Sequence, residues 1–390
     1  MLRDIHNLID NLYPEMVEIR RYLHQYPELS FQETKTAQYI AGYYKKLGIP
    51  FEMNVGGNGV IATLKGKKPG KTIALRADFD ALPIQEENNI SYKSKVDGVM
   101  HACGHDGHTA SMLVLAKAMK SFQQNLPGTI VFLHQHAEEY APGGAKPILE
   151  SGKLDDVEAV LGSHLWATTP FGVLQTSKNV FMAGNDRFEI TVQGQGGHGG
   201  YPQQTKDAIV IASQLVSNLQ QISSRRIDPL DTVVLTIGIF ESGSAFNIIA
   251  DSAKLVGTVR YLNESVRQTV MEEMEKIIKG TCVSYDASYK FDYVKGYPPL
   301  INHAEDAELV MQAGSCVDEI NTIEEIKPVM ASEDFAYYTM KKPGTYFFTG
   351  ANKEGNPYPH HHPKFDIDER AIPIAAKVLI SAYFKYQENN

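Results

Sequence analysis

Apolar residues recur every three to four positions over residues 2–24 (Leu8, Leu12, Met16, Ile19, Leu23) and 34–47 (Ala37, Ile40, Ala41, Tyr44, Leu47), which predicts two early helices. Short apolar runs then alternate with helical patterns. Residues 73–75, 130–133 and 159–162 predict strands and residues 109–122 a helix, the texture of an α/β layer whose sheet is largely parallel. From about residue 186 the pattern changes to a strand (188–193), a helix (208–222), two strands (233–239 and 254–261), a helix (266–278) and an alternating stretch (285–293). This β-α-β-β-α-β order predicts a split βαβ sandwich. A helix over 304–316, a strand over 345–349 and a helix over 371–386 then resume the first texture. The expected fold is therefore α/β: a mixed, largely parallel sheet flanked by helices over 1–185 and 297–390, interrupted by a smaller α+β domain over 186–296.

Composition narrows the function classes. A chain of 390 residues is long enough for two domains. Lysine and arginine total 37 against 46 acidic residues, and 37 − 46 = −9 argues against nucleic acid or an anionic membrane as partner. Small or peptide-like ligands fit better. The N-terminal stretch has acids inside its apolar pattern, unlike a signal peptide, and no apolar run is long enough to span a bilayer. Three cysteines (Cys103, Cys282, Cys316) make no disulfide framework, so a reducing, cytoplasmic setting is expected.

The densest chemistry lies in residues 100–108, where Cys103, three histidines (His101, His105, His108) and Asp106 fall within nine positions. An isolated cysteine packs as a small hydrophobe. With these neighbours, Cys103 and His105 instead form a pair of metal donors, thiolate and imidazole being preferred by zinc and its neighbours. Glu138 and Glu139 follow the strand at 130–133. In an exposed turn they would be a solvated patch; beside metal ligands, one can bind the ion while the other moves a proton. His164 ends another strand-like run, and His360, His361 and His362 precede Pro363. Asp78 and Asp80 bracket Phe79 and can ligate directly or orient an imidazole. Of two glycine-rich segments, residues 56–59 predict a hairpin turn, and residues 194–200 a loop carrying His198; neither has a complete phosphate-binding fingerprint.

Taken together, RADFDALP (76–83), HACGHDGHTA (101–110), the glutamate pair, His164, GGHGGYP (196–202), FNIIAD (246–251) and HHHPKFDIDE (360–369) resemble the amidohydrolase branch of the aminoacylase and carboxypeptidase G type metallopeptidases, family M20. Hippurate hydrolases, N-acetyl amino acid deacetylases and plant auxin-conjugate amidohydrolases belong to it. The resemblance spans nearly the whole chain with its motifs in order. It implies a catalytic α/β domain interrupted by a lid domain that often mediates homodimerisation. It also implies two divalent metal ions per subunit held by Cys103, His105, Glu139, His164 and His361, the last chosen from its triplet by a His-x-Pro pattern. Glu138 then acts as general base, His198 polarises the scissile carbonyl, frequently across the dimer interface, and Asn247 and Arg260 hold the substrate carboxylate. Asp78 and Asp80 support the ligands, with Asp78 standing where many relatives outside this branch have a histidine. Thiolate softness favours zinc or cobalt, and members of this branch often use manganese; nickel is a further option. The implied reaction is hydrolysis of an N-acyl amino acid (acetyl, benzoyl or similar) by a metal-activated water. A dipeptidase with the same dinuclear site and a non-catalytic metal-binding protein are the alternatives.

Overall fold

The computed structural model describes residues 1–388 and divides into two units. The larger comprises Met1–Phe181, Ile301–Lys327 and the chain from Asp334 onward; the smaller comprises Met182–Leu300 and Pro328–Glu333. In chain order the larger unit begins with helices α1 (Leu2–Asn11), α2 (Tyr13–Gln25) and α3 (Thr34–Leu47). Strands β1 (Phe51–Val55), β2 (Gly59–Lys65) and β3 (Lys68–Asp78), helix α4 (His105–Ser121), and strands β4 (Pro127–Gln135), β5 (Ala159–Trp166) and β6 (Val173–Thr176) follow. The smaller unit contains β7 (Gly184–Gln193), α5 (Ala208–Leu219), β8 (Val233–Ser242), β9 (Ser252–Tyr261), α6 (Glu264–Ser284) and β10 (Ser288–Lys295). The chain then returns through α7 (Ala304–Gly314), β11 (Thr322–Glu325), β12 (Gly344–Gly350) and α8 (Ala371–Glu388).

The larger sheet has the order β1-β2-β4-β3-β5-β12-β6-β11. Its middle four strands run parallel: β3 pairs with β4 and β5, and β5 with β12. Ile73, Ala74 and Leu75 of β3 are all fully buried, so a continuous apolar run there marks a strand covered on both faces. Helices α4 and α8 pack on this centre, and both are buried along nearly their whole length. Because the middle strands are parallel, their carboxyl ends share one edge, where open α/β sheets expose loops to ligands.

In the smaller unit the sheet order is β8-β9-β7-β10 with every pairing antiparallel, the split βαβ arrangement. Phe188, Ile190 and Val192 alternate inward along β7 to meet α5 and α6 in a core of their own. Asp207 caps α5 by accepting from the Ile209 and Val210 amides, and Asn263 caps α6 from the Ser265 amide. The segment 328–333 joins this unit because the Ala183 amide donates to the Val329 and Ala331 carbonyls.

Three elements depart from the sequence pattern. Residues 2–24 form two helices rather than one: the apolar phase continues through Leu12, but Pro14 sits in the first turn of α2, where its missing amide is harmless only at a helix start. His164 lies inside β5, which runs on to Trp166, rather than at its end. Tyr285 closes α6, so the final strand begins only at Ser288. Among the described residues no helix is long and apolar enough to cross a membrane.

Candidate metal centre

The residues gathered at the carboxyl edge of the parallel strands come from five segments. Asp78 ends β3 and Asp80 follows it; Cys103 and His105 flank the start of α4; Glu138 and Glu139 follow β4; His164 comes from β5; His361 lies in the long loop after β12. Donor atoms of Cys103, His105 and His164 lie within 4.8 Å of one another, as do those of Cys103, Glu139 and His361, and those of His105, Glu138 and Glu139. These sets share members, so they form one continuous cluster able to hold more than one ion.

Orientation is fixed by neighbours. His105 Nδ1 hydrogen-bonds to Asp80 Oδ1 (3.2 Å) and lies 3.0 Å from the Asp80 carbonyl, which leaves Nε2 facing the cluster. Asp80 Oδ2 also accepts from Ser30 Oγ (2.7 Å) and from the Glu139 amide (2.9 Å), so one carboxylate sets both an imidazole and the glutamate loop. His164 Nδ1 lies 3.1 Å from the Leu165 carbonyl, and its Nε2 is 3.3 Å from Cys103 Sγ. His361 Nε2 is 3.3 Å from Glu139 Oε2, with its backbone at φ 64 and its amide bonded to Ala102. That left-handed conformation is unusual for a residue with a Cβ and aims one member of the triplet into the cluster. His360 lies 3.7 Å from Cys103 but accepts from the Ala167 amide, and His362 accepts from the Lys364 amide.

A metal ion fits this arrangement. His105 Nε2 and Glu139 Oε1 are buried, 3.9 Å apart, and neither has a hydrogen-bond partner among the described residues. Buried atoms of this kind without hydrogen bonds are costly, and a metal ion between them would satisfy both. The electrostatics agree. Burial opposes charge on His105, yet Asp78, the Asp80 hydrogen bond and Glu139 outweigh it and push its pKa up to about 10. Burial and the carboxylates of Glu139, Glu138 and Asp78 hold the Cys103 thiol well above its usual value. The cluster is thus a negative field concentrated on soft and imidazole donors, which a divalent ion would neutralise.

Asp78 braces its neighbours and also forms a candidate donor group with His105 and His108. It accepts from Arg76 (2.6 Å) and His108 Nδ1 (2.6 Å), while its Oδ2 lies 3.7 Å from His105 Nε2. Asp106 and His108 of the dense motif are absorbed by the scaffold, whereas the buried His101 Nδ1 has no hydrogen-bond partner among the described residues. Asp106 takes Arg20 (2.9 Å) and His24 (2.8 Å), and His108 Nε2 accepts from the Leu165 amide. Sequence reasoning missed Arg20, Arg76, Gln135, Asp334 and Glu33. Arg76 joins Asp78, Gln135 and Asp334 in one buried network, and Glu33 accepts from the Phe31 and Ala137 amides (2.9 Å each) and from Asn58 (2.9 Å). Arg76 lies inside a recognised motif, which was the one available signal; the others have none.

The other three expected site residues lie in the smaller unit. His198 is exposed on a two-residue strand paired with Ile248 and Ile249, and its Nδ1 accepts from the Gly200 amide (3.0 Å). Asn247 is exposed, and its carbonyl accepts from the Gly199 amide (2.9 Å). Arg260 is half-buried on β9, where its guanidinium hydrogen-bonds to Thr258 and burial lowers its pKa.

The family model for peptidase family M20/M25/M40 matches residues 74–385. The Bacillus subtilis protein YhaA is 49% identical over 388 residues, covering 99% of this chain and 98% of its own. An N-acyl-L-amino acid amidohydrolase of Geobacillus stearothermophilus is 45% identical over 302 residues, 77% of this chain and 82% of its own. Among solved structures, the Bacillus subtilis YXEP protein, described as a dinuclear metal binding peptidase from the M20 family, superimposes with a TM-score of 0.84 at 34% identity, covering 98% of this chain and 99% of that one.

Proposed function

The chain belongs to peptidase family M20/M25/M40, and on that premise we propose that it is a metal-dependent amidohydrolase cleaving the amide bond of N-acyl amino acids. The observation that carries this reading is the pair of unsatisfied atoms, His105 Nε2 and Glu139 Oε1, set among Cys103, His164 and His361 with Glu138 Oε2 4.0 Å from His105. Cys103, His105, Glu139, His164 and His361 would hold two divalent ions, with manganese or zinc the first choices and cobalt or nickel next. Bound there, the ions supply Lewis-acid polarisation of the carbonyl and lower the pKa of a water. Glu138 takes the proton of the attacking water and returns it to the departing amine nitrogen. His198, whose Nδ1 accepts from Gly200, carries its proton on Nε2 and donates to the carbonyl oxygen as charge develops. Asn247 and Arg260 receive the substrate carboxylate.

The smaller unit serves as lid and as dimerisation surface in this reading. Strand β8 is an edge of its sheet and exposes Val234, Ile239 and Phe240, an edge suited to a second copy of the chain. The three free cysteines suit a cytoplasmic setting. A metal-supplemented screen of N-acetyl and N-benzoyl amino acids beside free dipeptides tests the substrate class; turnover confined to dipeptides overturns it in favour of the dipeptidase alternative. Within the active panel, Glu138→Gln should lower kcat by about 10²–10⁴-fold with metal content unchanged. Near-normal turnover would remove Glu138 as the base.

A further inference from the structure

A cavity of about 540 Å³ adjoins the metal centre on the larger unit. It is lined by Leu29, Phe31, Leu82, Pro83 and Tyr140 and reaches Glu139, one of the cluster carboxylates. Its size falls within the range of small-molecule sites, and its wall is mostly apolar, with Ser30, Gln32 and Glu139 its polar members. Two features show a built surface rather than a chance hollow. Phe31 holds φ 67, a conformation that a bulky side chain rarely adopts, and its amide is pinned there by the buried Glu33 carboxylate at 2.9 Å. The ring remains 45% exposed despite its apolar character, and Tyr140 is 68% exposed. Unlike scattered surface hydrophobics, these two share one wall beside a reactive cluster.

The charge pattern decides which half of a substrate enters. No lysine or arginine lines the cavity among the described residues, and its one charged group is the Glu139 carboxylate. An amino acid carboxylate would find no lysine or arginine on this wall to pair with, whereas an uncharged acyl chain or ring buries apolar surface there. Resting on the amidohydrolase reading above, we propose that this cavity receives the acyl half of the substrate and selects aromatic or medium-chain aliphatic acyl groups over acetyl.

The test compares N-acetyl, N-octanoyl and N-benzoyl forms of a single amino acid on the metal-loaded full-length enzyme. Phe31→Gly deletes the ring while favouring the observed backbone, and Tyr140→Ala removes an exposed side chain, so neither threatens the fold. Wild type should favour octanoyl and benzoyl by kcat/KM. Each variant should lower the octanoyl-to-acetyl ratio, Phe31→Gly by about tenfold. A wild-type preference for acetyl, or ratios unchanged in both variants, overturns the proposal. Absence of turnover on every N-acyl amino acid would instead overturn the amidohydrolase reading. Calorimetric binding of the N-octanoyl compound then decides the cavity: weaker binding by Phe31→Gly than by wild type supports it, and equal binding overturns it.

Discussion

The expected chemical residues of the larger unit and those of the smaller one are held in opposite ways. His105, His164 and Glu138 are buried, at 1%, 3% and 6% exposure, and His105 and His164 are each oriented by a hydrogen bond that leaves one ring nitrogen facing the cluster. His198 and Asn247 are exposed, and they are steadied by local contacts where residues 197–200 meet 247–249, the Gly200 amide donating to His198 Nδ1 and the Gly199 amide to the Asn247 carbonyl. The first arrangement is preorganised, with donors aimed and, apart from the 53% exposed His361 side chain, already desolvated. The second leaves its donors in water, where they acquire full strength only when a ligand displaces that water. In the proposed function, metal retention falls to the larger unit and charge stabilisation during turnover to the smaller.

The largest effects should separate those two roles. Cys103→Ala removes a donor from two of the overlapping ligand sets and should lower metal stoichiometry together with activity. His198→Ala should leave metal content intact while reducing kcat/KM about 10²–10³-fold. Elemental analysis and kinetics on both variants check this. Equal metal loss in the two, or full metal content in Cys103→Ala, would break the division.

A medium effect should come from the orienting shell. Asp80 accepts from His105, Ser30 and the Glu139 amide at once, and Asp80→Asn would turn an amide donor against at least one of these donors. Metal affinity should fall about 10–100-fold, read by chelator competition. Unchanged affinity would mean that the cluster needs no such bracing and that burial alone sets it apart from the smaller unit.

What the sequence made legible follows the range of the forces involved. Local periodicity marked α3 because it buries a face that repeats within a few residues. The candidate donors were visible because thiolate, imidazole and carboxylate gathered at strand ends have few other uses. The break at Leu12 was hidden, since the apolar phase runs straight across it. Strand β1 was also silent: its FEMNV has only half-buried apolar positions apart from Val55. The bracing groups were least accessible, because their partners are distant in sequence. Arg20 meets Asp366, 346 positions away, and Arg76 meets Asp334, 258 positions away; nothing local to either arginine encodes the pairing.

The smallest expected effect probes how differently the two units support a buried carboxylate. Asp186 of the smaller unit has a cation, Arg267 Nε at 3.0 Å, besides Tyr293 and the Gly296 amide. Glu33 of the larger unit has three neutral donors and no cationic partner among the described residues. Burial therefore dominates and raises its pKa from 4.5 to about 7, with the nearby Asp80 charge adding to the rise. Between those two values the folded chain holds a proton that the unfolded chain has released, so Glu33 makes stability fall as pH rises from about 4.5 to about 7, with no further loss above. Glu33→Gln keeps an acceptor for the Phe31 and Ala137 amides, and a flip of Asn58 can accommodate the new amide group. The variant should lose less Tm than wild type between pH 5 and pH 8, by a few degrees at most. Identical pH slopes would show that the three donors stabilise the ionised form fully and that an uncharged environment supports a carboxylate as well as Arg267 does.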